Sequence, residues 1–162
     1  MVCVTGPLLY GAAAGAAGTT ALNVVSYGDM VVRGRPASST PETTVRKLAT
    51  KLHLRIPGEG QAEESRVTAL GALTGLAAGT GMGVMLGLGH AAGWRPTRGA
   101  QYTVAVVGAL VATNGPMTVL GVTDPRTWAT SDWISDIVPH LAYAVVTVSV
   151  FNRLLGSAPA CC

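Results

Sequence analysis

The sequence predicts an all-α integral membrane protein, a four-helix bundle with a short amphipathic cytoplasmic helix in its first loop, on three observations. Charged residues make up 12% of the chain and hydrophobic ones 49%, where globular proteins carry about 25% charge. The few charges are clustered, which leaves long stretches without any. Glycine recurs at every fourth position through the second of these stretches.

No Asp, Glu, Lys or Arg occurs in residues 1–28, 67–94, 99–123 or 137–152. An apolar core of about 30 Å takes roughly 20 helical residues to cross, so the first three runs are long enough. The fourth reaches that length only if its helix begins near Trp133, which carries Asp132 and Asp136 to the membrane boundary. The expected helices are therefore near 7–30, 67–92, 99–121 and 133–154, in one transmembrane domain spanning 1–162. Ala12, Ala13 and Ala14 resemble a signal-peptide cleavage site, but no basic residue precedes Pro7, as a secretory signal requires, so the first helix is read as retained.

Positive charge orients the spans. The loop 31–66 and its borders carry Arg33, Arg35, Arg46, Lys47, Lys51, Arg55 and Arg66, and the third loop adds Arg126. Only Arg95, Arg98 and Arg153 oppose them. The bias places loops one and three in the cytoplasm and both termini outside, in a multi-pass protein of the cytoplasmic membrane. Aromatic residues form matching belts, with Tyr10, Trp94 and Tyr102 at one level and Tyr27, Trp128 and Trp133 at the other.

Within the first loop, Thr40 is placed to cap a helix opened by Pro41 and Glu42. Val45, Leu48, Ala49 and Leu52 share one face of it; Arg46, Lys47 and Lys51 share the opposite one. Such a helix can lie on an anionic leaflet, each basic residue contributing about 1 kcal/mol, or pack beneath the bundle. Residues 56–61 (IPGEGQ) then form a breaker-rich turn, and Glu63 and Glu64 suit the first turn of the next helix.

The glycine row is Gly71, Gly75, Gly79, Gly83 and Gly87. Without side chains these positions form a groove for another backbone, and helix association in lipid rests on such packing because burying apolar surface gains little there. Helix one offers a matching ridge, Gly11, Gly15 and Thr19, and the two rows favour a right-handed crossing near −40°. The same glycine face could instead serve self-association.

Two polar constellations stand out. Asn23, Asn114 and His140 each lie seven residues in from the same membrane boundary, a depth of about 10 Å, and are expected to share one layer; Pro116 leaves the Ala112 carbonyl free beside Asn114. Asp132, Asp136 and His140 recur every four residues and line one face of helix four, and Asp29 lies at the same edge on helix one. Intramembrane polar groups are functional candidates by default, and two carboxylates with an imidazole can carry protons or a divalent cation. The alternative is structural: Asp132 and Asp136 complement the helix N-terminus, capped by Thr130 or Ser131, and pair with Arg33, Arg35 or Arg126. His53 lies in the cytoplasmic loop and His90 at the outer end of helix two, near the membrane face opposite His140 and too far from it for the two to bind one haem iron together. Cys3, Cys161 and Cys162 fall on the outer side, where a bridge between tails or chains is chemically permitted.

Three stretches, NVVSYGDMVVRGRPASSTP from Asn23 to Pro41, GVTDPRTW from Gly121 to Trp128 and DWISDIVPH from Asp132 to His140, resemble a family of uncharacterised small four-span membrane proteins of high-GC actinobacteria. The resemblance covers most of the chain and implies the four-span architecture. It implies no activity.

Nothing in the chain resembles a phosphate loop, a nucleophile with its base, a zinc finger or a nucleic-acid surface, and the net charge of +3 is explained by the first loop. The sequence therefore points to no enzyme, no bound metal, no identifiable cofactor and no nucleic-acid partner. Its expected partners are the lipid bilayer and either further copies of itself or another membrane protein. The function expected is structural or accessory; the alternative is a transporter or channel moving protons, cations or a small solute through the polar layer, and the third reading is an intramembrane enzyme with a metal or cofactor bound at the same stripe.

Overall fold

A computed structural model describes residues 5–157; Cys3, Cys161 and Cys162 lie outside the described residues. The described chain is helical, without strands: α1 (Thr5–Arg33), α2 (Thr40–Lys51), α3 (Gln61–Ala91), α4 (Arg98–Val119), a single 3-10 turn (Pro125–Thr127) and α5 (Thr130–Ser157). Four of these helices, α1, α3, α4 and α5, are long and apolar enough to cross a membrane. Leu73, Leu76, Met85, Val107, Val111 and Val145 all lie on their outside, an arrangement that water penalises and lipid does not. Length, composition and outer surface thus mark a multi-pass membrane protein.

Three of the four long helices outrun the boundaries expected from charge alone. A charge-free run measures the apolar middle of a helix, whereas its ends are set by backbone hydrogen bonding and caps. α3 begins six residues before the expected 67, with Glu63 and Glu64 against its positive N-terminus. α4 stops two residues short of the expected 121 because Gly121 turns to φ +64°. Gly121 N–H then bonds the Thr118 carbonyl and Val122 N–H the Met117 carbonyl, the paired bonds of a glycine-closed helix end. Gly93 closes α3 in the same way. α2 ends likewise on His53, at φ +54°, a position where a residue with a Cβ is strained.

The expected Thr40 cap is not what starts α2. Thr40 already lies inside the helix, whose N-cap position falls on Ser39 without a side-chain capping bond, and the Thr40 N–H bonds the Ser38 hydroxyl at 3.2 Å. Of the predicted apolar face, Val45 is buried while Leu48 and Leu52 are exposed. On the basic face, Arg46 pairs with Glu63 of α3. Lys47 Nζ reaches the carbonyls of Leu120 at 3.2 Å and Gly121 at 2.5 Å, the free acceptors at the negative end of α4. α2 therefore straps the start of α3 to the end of α4 across what is here called the basic end of the molecule.

Two exposed hydrogen bonds to carbonyls are worth about 1 kcal/mol. Lys47→Ala is accordingly expected to raise the rate of limited proteolysis in residues 52–60 about fivefold, with the long helices unaffected. An unchanged cleavage rate would show that the strap is held elsewhere.

α1 is the central helix, packing on α3 along one face and on α5 along another. Against α3 the contact is backbone to backbone. A Cβ added at Gly11 would fall on the Gly83 carbonyl, one at Gly15 would lie 2.6 Å from the Gly79 carbonyl, and one at Gly87 would fall on the Pro7 carbonyl. Thr19 closes the ridge against Gly79 and turns its hydroxyl back to the Gly15 carbonyl at 2.8 Å. Gly71 meets Pro41 of α2, and nothing lies within 4 Å of a Cβ at Gly75. The predicted row is thus divided: three glycines hold α1, one holds α2 and one is open.

On its other face α1 presents Gly18 to α5, where an added Cβ would strike the Thr147 hydroxyl and lie 2.9 Å from the Tyr143 carbonyl. Tyr143, Ala144, Val148 and Phe151 of α5, Ala14 of α1, Leu86 of α3 and Ala105 and Ala109 of α4 form the buried core. The core lies toward the end opposite α2, and the helices are less tightly packed at the basic end, where residues 72–77 of α3 are exposed on every side.

Candidate functional site

The inward face of α5 carries the polar groups. Residues four apart on a helix lie one above the other, so Asp132, Asp136 and His140 descend in register from an exposed position to a buried one. Asp132 Oδ2 accepts the Ala129 N–H at 3.0 Å and so stays with its own helix start. Asp136 Oδ2 accepts the Asn114 amide of α4 at 2.8 Å. His140, 7% exposed, places Nδ1 2.7 Å from the Asp136 carbonyl and 3.5 Å from its carboxylate. Its Nε2 lies 3.3 Å from the Thr113 hydroxyl.

Asn114 and His140 therefore share a site, with Asp136 between them. No hydrogen bond joins Asn23, half-buried on α1, to either of them. Asp29 pairs with Arg35 and, at 3.5 Å, with Arg33. Arg33 donates to Ser135 Oγ at 2.8 Å, so Asp29 is linked to the residue beside Asp136 through a guanidinium. The arginines do not pair with Asp132 or Asp136: Arg33 and Arg35 serve Asp29, and Arg126 serves Asp124 at 3.0 Å. Hydrogen bonds from the Arg126 side chain and backbone hold the Asp124 carboxyl below the ordinary carboxylate range.

Four contributors are absent from the sequence reading. Thr113 is the α4 partner of His140. Tyr143 donates its hydroxyl to the Gly79 carbonyl at 2.7 Å, tying α5 to the glycine row of α3. Thr147 is fully buried and its hydroxyl has no partner among the described residues. Asn152 donates to Gln101 of α4 at 2.6 Å. Continuing the three-and-four spacing beyond His140 reaches Tyr143 and Thr147, and that signal was present in the sequence.

Among the described residues no group of three His, Cys, Asp or Glu side chains could hold a metal ion, so Asp132, Asp136 and His140 are not a ready cation site. An open groove of about 420 Å³ at the basic end is lined by Val111, Asn114, Val119, Trp128 and Trp133, among others. Trp128 is fixed there by its bond to Thr123 at 2.7 Å and by edge packing on Trp133, ring centres 5.0 Å apart. Chemically the site joins one carboxylate to one imidazole, bridges two helices and reaches the surface through Asn114. Set against family models, curated proteins and solved structures, the chain matches none.

Proposed function

We propose that the protein is a structural or accessory component of the cytoplasmic membrane, with its basic end inside and both termini outside, that works by associating with a second copy or with another membrane protein. The supporting observation is the open stretch of α3. Ala72, Leu73, Thr74, Gly75, Leu76 and Ala77 are all exposed, and nothing lies within 4 Å of a Cβ added at Gly75, although the same glycine row is filled by α1 one and two turns further on. In lipid a bare glycine backbone gains most from another helix laid against it. The reading assigns the chain no catalytic role.

Crosslinking from Thr74→Cys in native membranes is expected to give a discrete adduct, and Gly75→Val is expected to remove most of it without disturbing the fold, since that side chain enters open space. Recovery of monomer alone, with no co-purifying protein, would defeat the proposal.

A second reading, transport of protons, cations or a small solute, is favoured by the Asp136, Asn114 and His140 cluster with Asp29 at its edge. It predicts flux in liposomes that falls at least tenfold in His140→Ala and in Asp136→Asn. Unchanged flux in both variants would take these residues off any path.

A further inference from the structure

Each ring nitrogen of His140 has one hydrogen-bonding partner from a neighbouring turn or helix, and the two partners differ in kind. The Asp136 carbonyl, 2.7 Å from Nδ1, can only accept, so Nδ1 carries a hydrogen. The Thr113 hydroxyl, 3.3 Å from Nε2, can donate or accept. Its single proton has two destinations: the imidazole Nε2, or the carbonyls of its own helix, Ala109 at 3.0 Å and Leu110 at 3.3 Å. With a neutral ring, Thr113 donates to Nε2. With a charged ring, Nε2–H donates to Thr113, and Thr113 donates to Ala109. Both states are fully bonded, and passing from one to the other requires rotation of a hydroxyl and no movement of helices.

The charge balance favours the same conclusion. From α4 the ring meets Thr113 and its neighbour Asp136 meets Asn114, neither of them ionisable. From α1 the charged groups at this end are Asp29, Arg33 and Arg35, and Arg33 is bound to Ser135. α3 has no Asp, Glu, Lys or Arg from Val67 to its end, and its titratable His90 packs against Phe151, about three turns along α5 from His140. On α5 itself the titratable neighbours are Asp136, Asp132 one turn beyond it, and Tyr143, whose hydroxyl is bound to Gly79. Asp136 is the one carboxylate near the ring, 3.5 Å from Nδ1 and held in place by Asn114. With that carboxylate ionised, proton uptake takes the pair from a net charge of −1 to zero, so a buried charge is cancelled and none is created.

We propose that Thr113, Asp136 and His140 form a reversible binding site for a single proton. A proton leaves hydronium in the water at the basic end, reached past exposed Asp132 and partly exposed Asp136, and a new N–H bond forms at His140 Nε2. The hydronium becomes water, no other covalent bond changes, and Thr113 turns its hydroxyl to Ala109. The site goes beyond the associative role proposed above and exists whether or not a proton crosses the membrane.

The test is ¹⁵N NMR of histidine-labelled protein in lipid nanodiscs, titrated from about pH 8 to 5, the range in which imidazoles change charge. His53→Gln/His90→Gln leaves His140 as the one imidazole; subtraction of a His140→Gln spectrum from that of the unmodified protein gives the same signal should the double variant fold poorly. The expected result is a protonated Nδ1 throughout and an Nε2 that gains its proton in one step. Asp136→Asn, which keeps an acceptor for Asn114, is expected to lower the proton affinity at least tenfold. Thr113→Val is expected to lower it severalfold, and Thr113→Ser to restore it. An Nε2 that keeps one state across the range, or one that titrates unchanged in Asp136→Asn, would overturn the proposal.

Discussion

Gly83→Ala is expected to destabilise the folded protein by about 2 to 3 kcal/mol, the upper range for forcing a methyl group into a packed contact. The new Cβ would fall on the Gly11 carbonyl and lie 2.7 Å from both the N and Cα of Gly15. All of these are backbone atoms, so no rotamer change relieves the overlap and α1 and α3 must separate. Two other glycines serve as controls. At Gly108 the nearest atoms to an added Cβ are the Cε and Sδ of Met82, the end of a flexible side chain that can swing aside, so Gly108→Ala is expected to cost well under 1 kcal/mol. At Gly75 nothing is in reach, and alanine there gains helix propensity. Reversible unfolding in lipid bicelles separates the three; Gly83→Ala as stable as the unmodified protein would mean that the glycine row does not hold these helices together.

That contrast also shows how far the sequence could be read. A row of small residues states that a backbone can approach, and so the α1 and α3 pairing through Gly11, Gly15, Gly79, Gly83 and Gly87 was legible from spacing alone. It does not state where two straight helices that cross must part, which is why Gly71 contacts α2 and Gly75 contacts nothing. Gly18 went unread for a related reason: it lies off the Gly11, Gly15 ridge, on the side of α1 that meets α5, and its partner Thr147 is recognisable only once the register of the two helices is known. The strap formed by α2 depends on Lys47 finding carbonyls more than seventy residues away, a contact that no local pattern encodes. The Asp132, Asp136, His140 stripe was legible because it is a property of one helix, whereas the choice of Asn114 and Thr113 as its partners, and the absence of Asn23 from it, follow from the way α4 and α1 are rotated.

Removing the Asn114 amide is the second change with a large expected effect. Hydrogen bonds between membrane helices average about 0.6 kcal/mol when both partners are neutral, whereas a bond to a charged group is worth about 1.5 to 3 kcal/mol. The partner of Asn114 is the Asp136 carboxylate, at 2.8 Å, in a position largely withdrawn from water. Asn114→Leu is therefore expected to cost about 2 kcal/mol, chiefly because the carboxylate is left with one acceptor oxygen unsatisfied. Adding Asp136→Leu to that variant should recover part of the loss, since two apolar side chains of similar size replace a pair in which each group needed the other. The double-mutant cycle is expected to give a coupling of at least about 1 kcal/mol, above the neutral average. Single costs that simply add, within about 0.5 kcal/mol, would show that the amide and the carboxylate do not depend on each other, and α4 would then owe its place against α5 to the other contacts of the pair: Thr113 with His140, the buried Ala105 and Ala109, Tyr102 with Ser149, and Gln101 with Asn152.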